Sequence, residues 1–93
     1  MTLLWHPAAM KELRKLPREI QIRIAHAVEG FYETDRGDIR HVHGKLWALA
    51  SGSYRIYYWR EREDIGIVGV DHRKHAYIPE RVEALEKRLR NSR

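Results

Sequence analysis

Apolar residues fall at helical spacing in the first third of the chain and at strand spacing in the second half. Thr2-Leu3-Leu4-Trp5 is a short apolar run and predicts a first strand. Pro7 follows where a helix can begin, because the first turn does not need the missing N–H. Ala9, Leu13 and Leu16 then recur on one helical face, with Lys11, Arg14 and Lys15 between them. Pro17 breaks that helix. Ile20, Ile24, Val28 and Phe31 recur at four, four and three residues, which predicts a second amphipathic helix. The pair reads as an α-hairpin with a sharp corner at Leu16-Pro17.

Thr34 to Gly44 is polar, holds Gly37 and Gly44 as well as His41 and His43, and reads as a loop. Lys45–Ala50, Tyr54–Arg60 and Ile65–Asp71 are rich in aromatic, β-branched or other apolar residues and read as strands. Ser51-Gly52-Ser53 and Glu61-Arg62-Glu63-Asp64 supply the turns, so the three strands form an antiparallel meander. Gly66 and Gly69 mark bulges or close approaches. Pro79 opens a last helix, with Glu80 and Glu83 near its start and Lys87, Arg88 and Arg90 near its end, an order that complements the helix dipole. Its stripe of Val82, Leu85 and Leu89 is narrow and predicts weak docking or a helix waiting for a partner. These elements make an α+β domain spanning residues 1–93, with helices against one face of a small sheet.

Composition narrows the partners. Ninety-three residues carry 18 Lys and Arg against 13 Asp and Glu, a formal charge of +5. A basic surface on so small a domain favours an anionic partner such as nucleic acid, against the simpler reading of a soluble basic surface. With no cysteine, the chain has no disulfide framework, thiol nucleophile or cysteine-based zinc site, which fits a reducing cytoplasm. No apolar run is long enough to span a bilayer, and the N-terminus shows no signal-peptide pattern.

Two strand ends carry candidate chemistry. Alternation along Tyr54–Arg60 puts Arg55, Tyr57 and Trp59 on one face. That face is either a nucleotide surface, with an arginine fork for phosphate and rings for bases, or ordinary sheet with an arginine stacked on a tyrosine. The segment His72-Arg73-Lys74-His75-Ala76-Tyr77 combines a proton shuttle, two cations and a phenol. RNA cleavage by its own 2′-OH needs the hydroxyl activated, the phosphorane-like charge stabilised and the leaving oxygen protonated, and these groups can do all three. The alternative is a charged strand end with Tyr77 packed on the last helix. His41, His43, His72 and His75 do not have zinc-site spacing, so no metal or other cofactor is expected. Lys11, Arg14, Lys15 and Arg18 form either a solvated helix face or a non-specific contact to a polyanion.

In order, the chain presents Trp5-His6-Pro7-Ala8-Ala9, the Lys11-Glu12-Leu13-Arg14-Lys15-Leu16-Pro17 corner, the amphipathic second helix, His43-Gly44-Lys45-Leu46-Trp47-Ala48-Leu49, Gly52-Ser53-Tyr54-Arg55-Ile56-Tyr57-Tyr58 and the His72–Tyr77 end. Together these resemble the RelE/ParE superfamily of toxins from type II toxin–antitoxin systems, over nearly the whole chain. The resemblance implies an N-terminal strand and α-hairpin packed on a small twisted antiparallel sheet, plus a C-terminal helix. It implies a cytoplasmic, RelE-like mRNA interferase: a metal-independent endoribonuclease that enters the ribosome, cleaves mRNA by 2′-OH attack and inhibits translation. The alternatives it carries are a ParE-like DNA gyrase inhibitor without nuclease activity and an inactive remnant of the fold. A cognate antitoxin, forming a hetero-oligomer, is the implied protein partner.

By the same resemblance Arg55 and Arg73 would hold the scissile phosphate and Tyr77 would act in proton transfer or stacking. His72 is the favoured base, and Lys11, Arg14, Lys15, Arg18 and Lys45 would bind RNA. The chain departs from the RelE-like pattern on Leu46-Trp47-Ala48-Leu49-Ala50, where basic residues are expected and none follows Lys45.

Overall fold

The computed structural model describes residues 2–91. Strand β1 (Leu3–Trp5) leads into helix α1 (Pro7–Arg14) and helix α2 (Arg18–Thr34). Strands β2 (Asp38–His43), β3 (Leu46–Ser51), β4 (Tyr54–Glu61) and β5 (Asp64–His72) follow, then a 3₁₀ turn (Arg73–His75) and helix α3 (Pro79–Asn91). The five strands form one sheet in the order β1-β5-β4-β3-β2. β2 to β5 are an antiparallel meander, while β1 pairs with β5 in parallel, so the sheet is mixed.

The hairpin forms where the periodicity places it. His6 caps α1, its Nδ1 accepting the Ala8 N–H at 3.0 Å, and Pro7 sits in the first turn. At the corner the Gln21 side-chain amide donates to the Leu16 carbonyl at 2.8 Å and the Arg14 carbonyl at 3.3 Å, fixing the angle between the helices. Ala9, Leu13, Ile24, Val28 and Phe31 then pack on Leu49, Ile56, Tyr58, Ile65, Ile67 and Val70 of the sheet.

Three expectations are corrected. The first is that Thr34–Gly44 is a loop: it contains β2, pairing from Asp38↔Ala50 to His43↔Leu46 with a bulge after His41. β2 is an edge strand exposed along most of its length, so it has no buried face to write an alternating apolar pattern. The second concerns the helices, which occupy both faces of the sheet. α1 and α2 cover one, and α3 covers the other through Leu85 and Leu89, which join Leu46, Ala48, Tyr57, Trp59 and Val68 in a second core. The third is that α3 docks weakly or waits for a partner: it buries Leu85 and Leu89 against the sheet in spite of its narrow stripe. The stripe suffices because Gly69 lets Leu85 sit directly on the strand, and a Cβ there would collide with that side chain. Gly66 likewise makes room for the Trp59 indole. Between these glycines Val68 is the extra residue of a bulge, since Tyr57 pairs with Gly69 and Tyr58 with Ile67.

β1 ends early, and this leaves the outer edge of β5 without a strand partner beyond Ile67, whose carbonyl takes the His6 N–H at 2.8 Å. Side chains complete that edge. Arg88 donates to the Val68 carbonyl at 2.9 Å, and Glu12 accepts the Val70 N–H at 3.0 Å. The same groups pair with one another: Glu12 contacts Arg81 at 2.8 Å and Arg88 at 2.9 Å, and Arg81 continues to Asp71 at 2.9 Å. A carboxylate from α1 and two arginines from α3 thus clasp the edge of β5. Burial alone would raise the Glu12 pKa, but hydrogen bonds from Arg81, Val70 and Arg88 and the Arg81 charge outweigh it, and the group titrates below its ordinary 4.5.

Removing this carboxylate leaves two arginines and one backbone N–H short of a partner. Glu12→Ala should lower the unfolding free energy by about 2–4 kcal/mol in urea titrations at pH 7. Because the folded-state pKa is depressed, Glu12 stabilises the protein above its unfolded pKa and loses that contribution as pH falls through the folded value. Stability measured from pH 7 down to acid should therefore fall less steeply in Glu12→Gln than in the wild type.

Candidate functional site

Pairing register brings the chemistry together on the part of the α3-side face that α3 leaves open. One row across the sheet reads Asp38, Ala50, Arg55 and Asp71, and the next reads Arg40, Ala48, Tyr57 and Gly69. Directly paired residues share a face, so Arg40 and Arg55 approach from strands on either side of an alanine floor. Tyr77, after the 3₁₀ turn, walls the same place. Asp38, Arg40, Ala48, Ala50, Arg55 and Tyr77 line a groove of about 190 Å³. Larger grooves exist, such as one lined by Phe31, Ile39, Trp47, Tyr58 and the Arg60–Asp35 pair, but that one is mainly apolar. The groove between the arginines differs in its alanine floor and in the guanidinium set over a tyrosine ring.

Each wall is held in place. The Arg55 guanidinium uses one nitrogen, Nη1, to donate to the Gly52 carbonyl at 3.0 Å and the Tyr54 carbonyl at 2.9 Å. Its other N–H donors are left for a ligand. Arg40 lies over the Tyr77 ring, its Cζ 4.8 Å from the centroid. This is a cation–π contact between the guanidinium and the ring. Tyr77 itself sits at φ 66°, a left-handed conformation that tyrosine rarely adopts. Its N–H donates to the Tyr57 hydroxyl at 3.2 Å, and the two rings meet edge-on. Tyr57 is wholly buried beneath α3, with the Asp71 charge nearby. Burial first, and then the Asp71 charge, push the Tyr57 hydroxyl far above the usual phenol range, so it remains a neutral hydrogen-bonding post. Tyr57 and Trp59 are therefore core residues, not the stacking platform that strand alternation suggested.

The remaining candidates separate. Arg73 is exposed in the 3₁₀ turn, and its N–H donates to the Ser53 carbonyl at 2.7 Å, so it stands on the same turn that anchors Arg55. His72 does not enter the groove. Its ring meets Tyr54 edge-on at 5.2 Å on the side of the sheet covered by α1 and α2. Its Nδ1 accepts the Lys74 N–H at 3.1 Å. Lys45 lies at the tip of the β2–β3 turn, at the far end of the sheet from Arg55. Lys11, Arg14, Lys15 and Arg18 are exposed, and because α1 runs along β5 their corner falls at the His72–Arg73 end. His41 and His43 sit near that same distal tip, His43 paired with Glu86, and no cluster of three or more His, Asp or Glu residues that could hold a metal forms among the described residues. Arg40 was missed because its segment read as loop; its one signal was a basic residue beside the β-branched Ile39 and Val42.

The arrangement has known structural counterparts. The RelB–RelE antitoxin–toxin complex from Methanococcus jannaschii matches with a TM-score of 0.65 and 24% identity, over 80% of this chain and 94% of that one. The archaeal RelE–RelB complex from Pyrococcus horikoshii OT3 matches with a TM-score of 0.65 and 20% identity, over 81% and 97%. The RelBE2 toxin–antitoxin complex from Mycobacterium tuberculosis matches at 0.62 and 22%, over 76% and 88%. No family model and no curated protein matches the sequence. The chain thus has the RelE fold: a strand and α-hairpin on one face of a mixed sheet, and a C-terminal helix on the other.

If the Tyr57 hydroxyl holds Tyr77 in place, Tyr57→Phe should lower stability by about 1–2 kcal/mol, the value of a buried hydrogen bond left unmade. Amide exchange at Tyr77 should accelerate more than at the neighbouring β4 and β5 amides, as NMR exchange measurements can show.

Proposed function

We propose that the chain is the toxin of a type II toxin–antitoxin module and acts as a ribosome-dependent, metal-independent mRNA endoribonuclease. The observation that carries this reading is the groove: on a RelE fold, Arg55 and Tyr77 face one another across an alanine floor, with donors free for an anion. Arg55 grips the scissile phosphate, and its charge-assisted hydrogen bonds strengthen as the phosphorane-like charge develops. The 2′-OH attacks phosphorus, the 5′-oxygen leaves with a proton, and a 2′,3′-cyclic phosphate remains. Of the two groups considered for proton transfer, Tyr77 is the one in the groove. Arg73, on the Ser53 turn, supplies charge at the rim. The Lys11, Arg14, Lys15 and Arg18 corner contributes salt-dependent contacts to ribosomal RNA. A cognate antitoxin partner is supported by the complexes that share the fold.

Expression of the wild-type chain without an antitoxin should arrest growth, with incorporation of labelled amino acids falling before that of thymidine. The opposite order would favour gyrase inhibition. Arg55→Ala should relieve the arrest and reduce cleavage of ribosome-bound mRNA, read by primer extension, by about 100-fold. Thermal unfolding should stay near the wild-type value. Undiminished toxicity in this variant would remove Arg55 from the mechanism.

A further inference from the structure

We propose that Arg40, on the edge strand β2, is a catalytic residue that contacts the scissile phosphate opposite Arg55. The inference rests on the ribonuclease reading and extends it. β3 offers no cation to this face: its two groove positions are Ala48 and Ala50. A phosphorane-like transition state carries more negative charge than the ground-state diester, and one arginine on one side of it is poor compensation. Register solves this from the next strand outward. Arg40 is directly paired with Ala48, and Asp38 with Ala50, which is in turn paired with Arg55. β2 and β4 lie roughly 9.6 Å apart with β3 between them. Small residues on β3 leave this interval open, and two arginine side chains reach into it from opposite sides.

The Arg40 guanidinium is already placed. It stacks on Tyr77 at 4.8 Å, and Tyr77 is fixed by the Tyr57 hydroxyl. A side chain on an exposed edge strand would otherwise sample many rotamers; the ring holds this one beside the phenol proposed to move the proton. Arg40, Ala48, Ala50 and Arg55 therefore act as one unit. The alanines are the reason that a cation from β2 can reach the phosphate, and the β2 cation is the reason that β3 can do without one.

The test is single-turnover cleavage of a defined mRNA on purified ribosomes by the full chain, with thermal unfolding measured alongside. Arg40→Ala should reduce the cleavage rate by about 100-fold while the chain stays folded. In that background Ala50→Lys places an ammonium on the same floor from β3 and should recover at least about tenfold of the loss, because the requirement is for charge at the phosphate. If Arg40 served only to pack Tyr77, a lysine on β3 would not restore the rate. Wild-type cleavage with Arg40→Ala undiminished, or a folded, inactive Arg40→Ala chain that Ala50→Lys does not rescue, would overturn the assignment of Arg40 alone. A wild-type chain that leaves ribosome-bound mRNA intact would overturn the ribonuclease reading and this role together.

Discussion

The unfinished edge of β5 is the constraint around which the molecule is organised. A strand that loses its neighbour halfway along must find other partners for its outward N–H and C=O groups. Here Glu12 and Arg88 serve, with Arg81 pairing to Glu12, and they come from helices on opposite faces of the sheet. One requirement of backbone hydrogen bonding thereby fixes α1 against α3 across a strand. Arg81 continues to Asp71, and on the same face of the sheet the Tyr57 hydroxyl accepts the backbone N–H of Tyr77. The groups of the clasp form one polar network, mostly shielded from water, where such bonds reinforce one another.

Much of the fold was legible in the sequence because most of its elements have a face to bury. Ile20, Ile24, Val28 and Phe31 announce α2, and Tyr54–Arg60 announces β4, since in each the packing surface is written at the period of the element. β2 has no such surface. Its partners lie on one side only, and its exposed residues obey only the turn and the pairing, which local composition does not encode. The docking of α3 was hidden for a different reason. Its stripe looked inadequate in isolation because half of the fit is supplied by what β5 omits, a Cβ at Gly69. The resemblance to RelE toxins gave the arrangement of strand, hairpin and terminal helix, and the structure places these as expected while adding a strand and making the sheet mixed.

The candidate site was legible only in part, and the division is instructive. Arg55 and Tyr77 stand in recognisable local motifs, and both line the groove. His72 stands in the same motif as Tyr77 yet faces the other side of the sheet, because adjacent positions at a strand end diverge even when their sequence suggests a cluster. Arg40 stands in no motif, and a strand register places it there. A groove on a sheet is assembled across strands, so the residue that fills a gap at Ala48 is sought on the paired strand rather than along β3.

The clasp also orders events in the life of the chain. Synthesis proceeds from the N-terminus, and Arg81 and Arg88 follow the sheet they clasp. Until α3 leaves the ribosome exit tunnel, Glu12 lacks these counter-charges, and Tyr57 and Trp59 lack their cover. The nascent chain therefore stays an incomplete scaffold until α3 is free to dock, although every strand of the sheet has already been made.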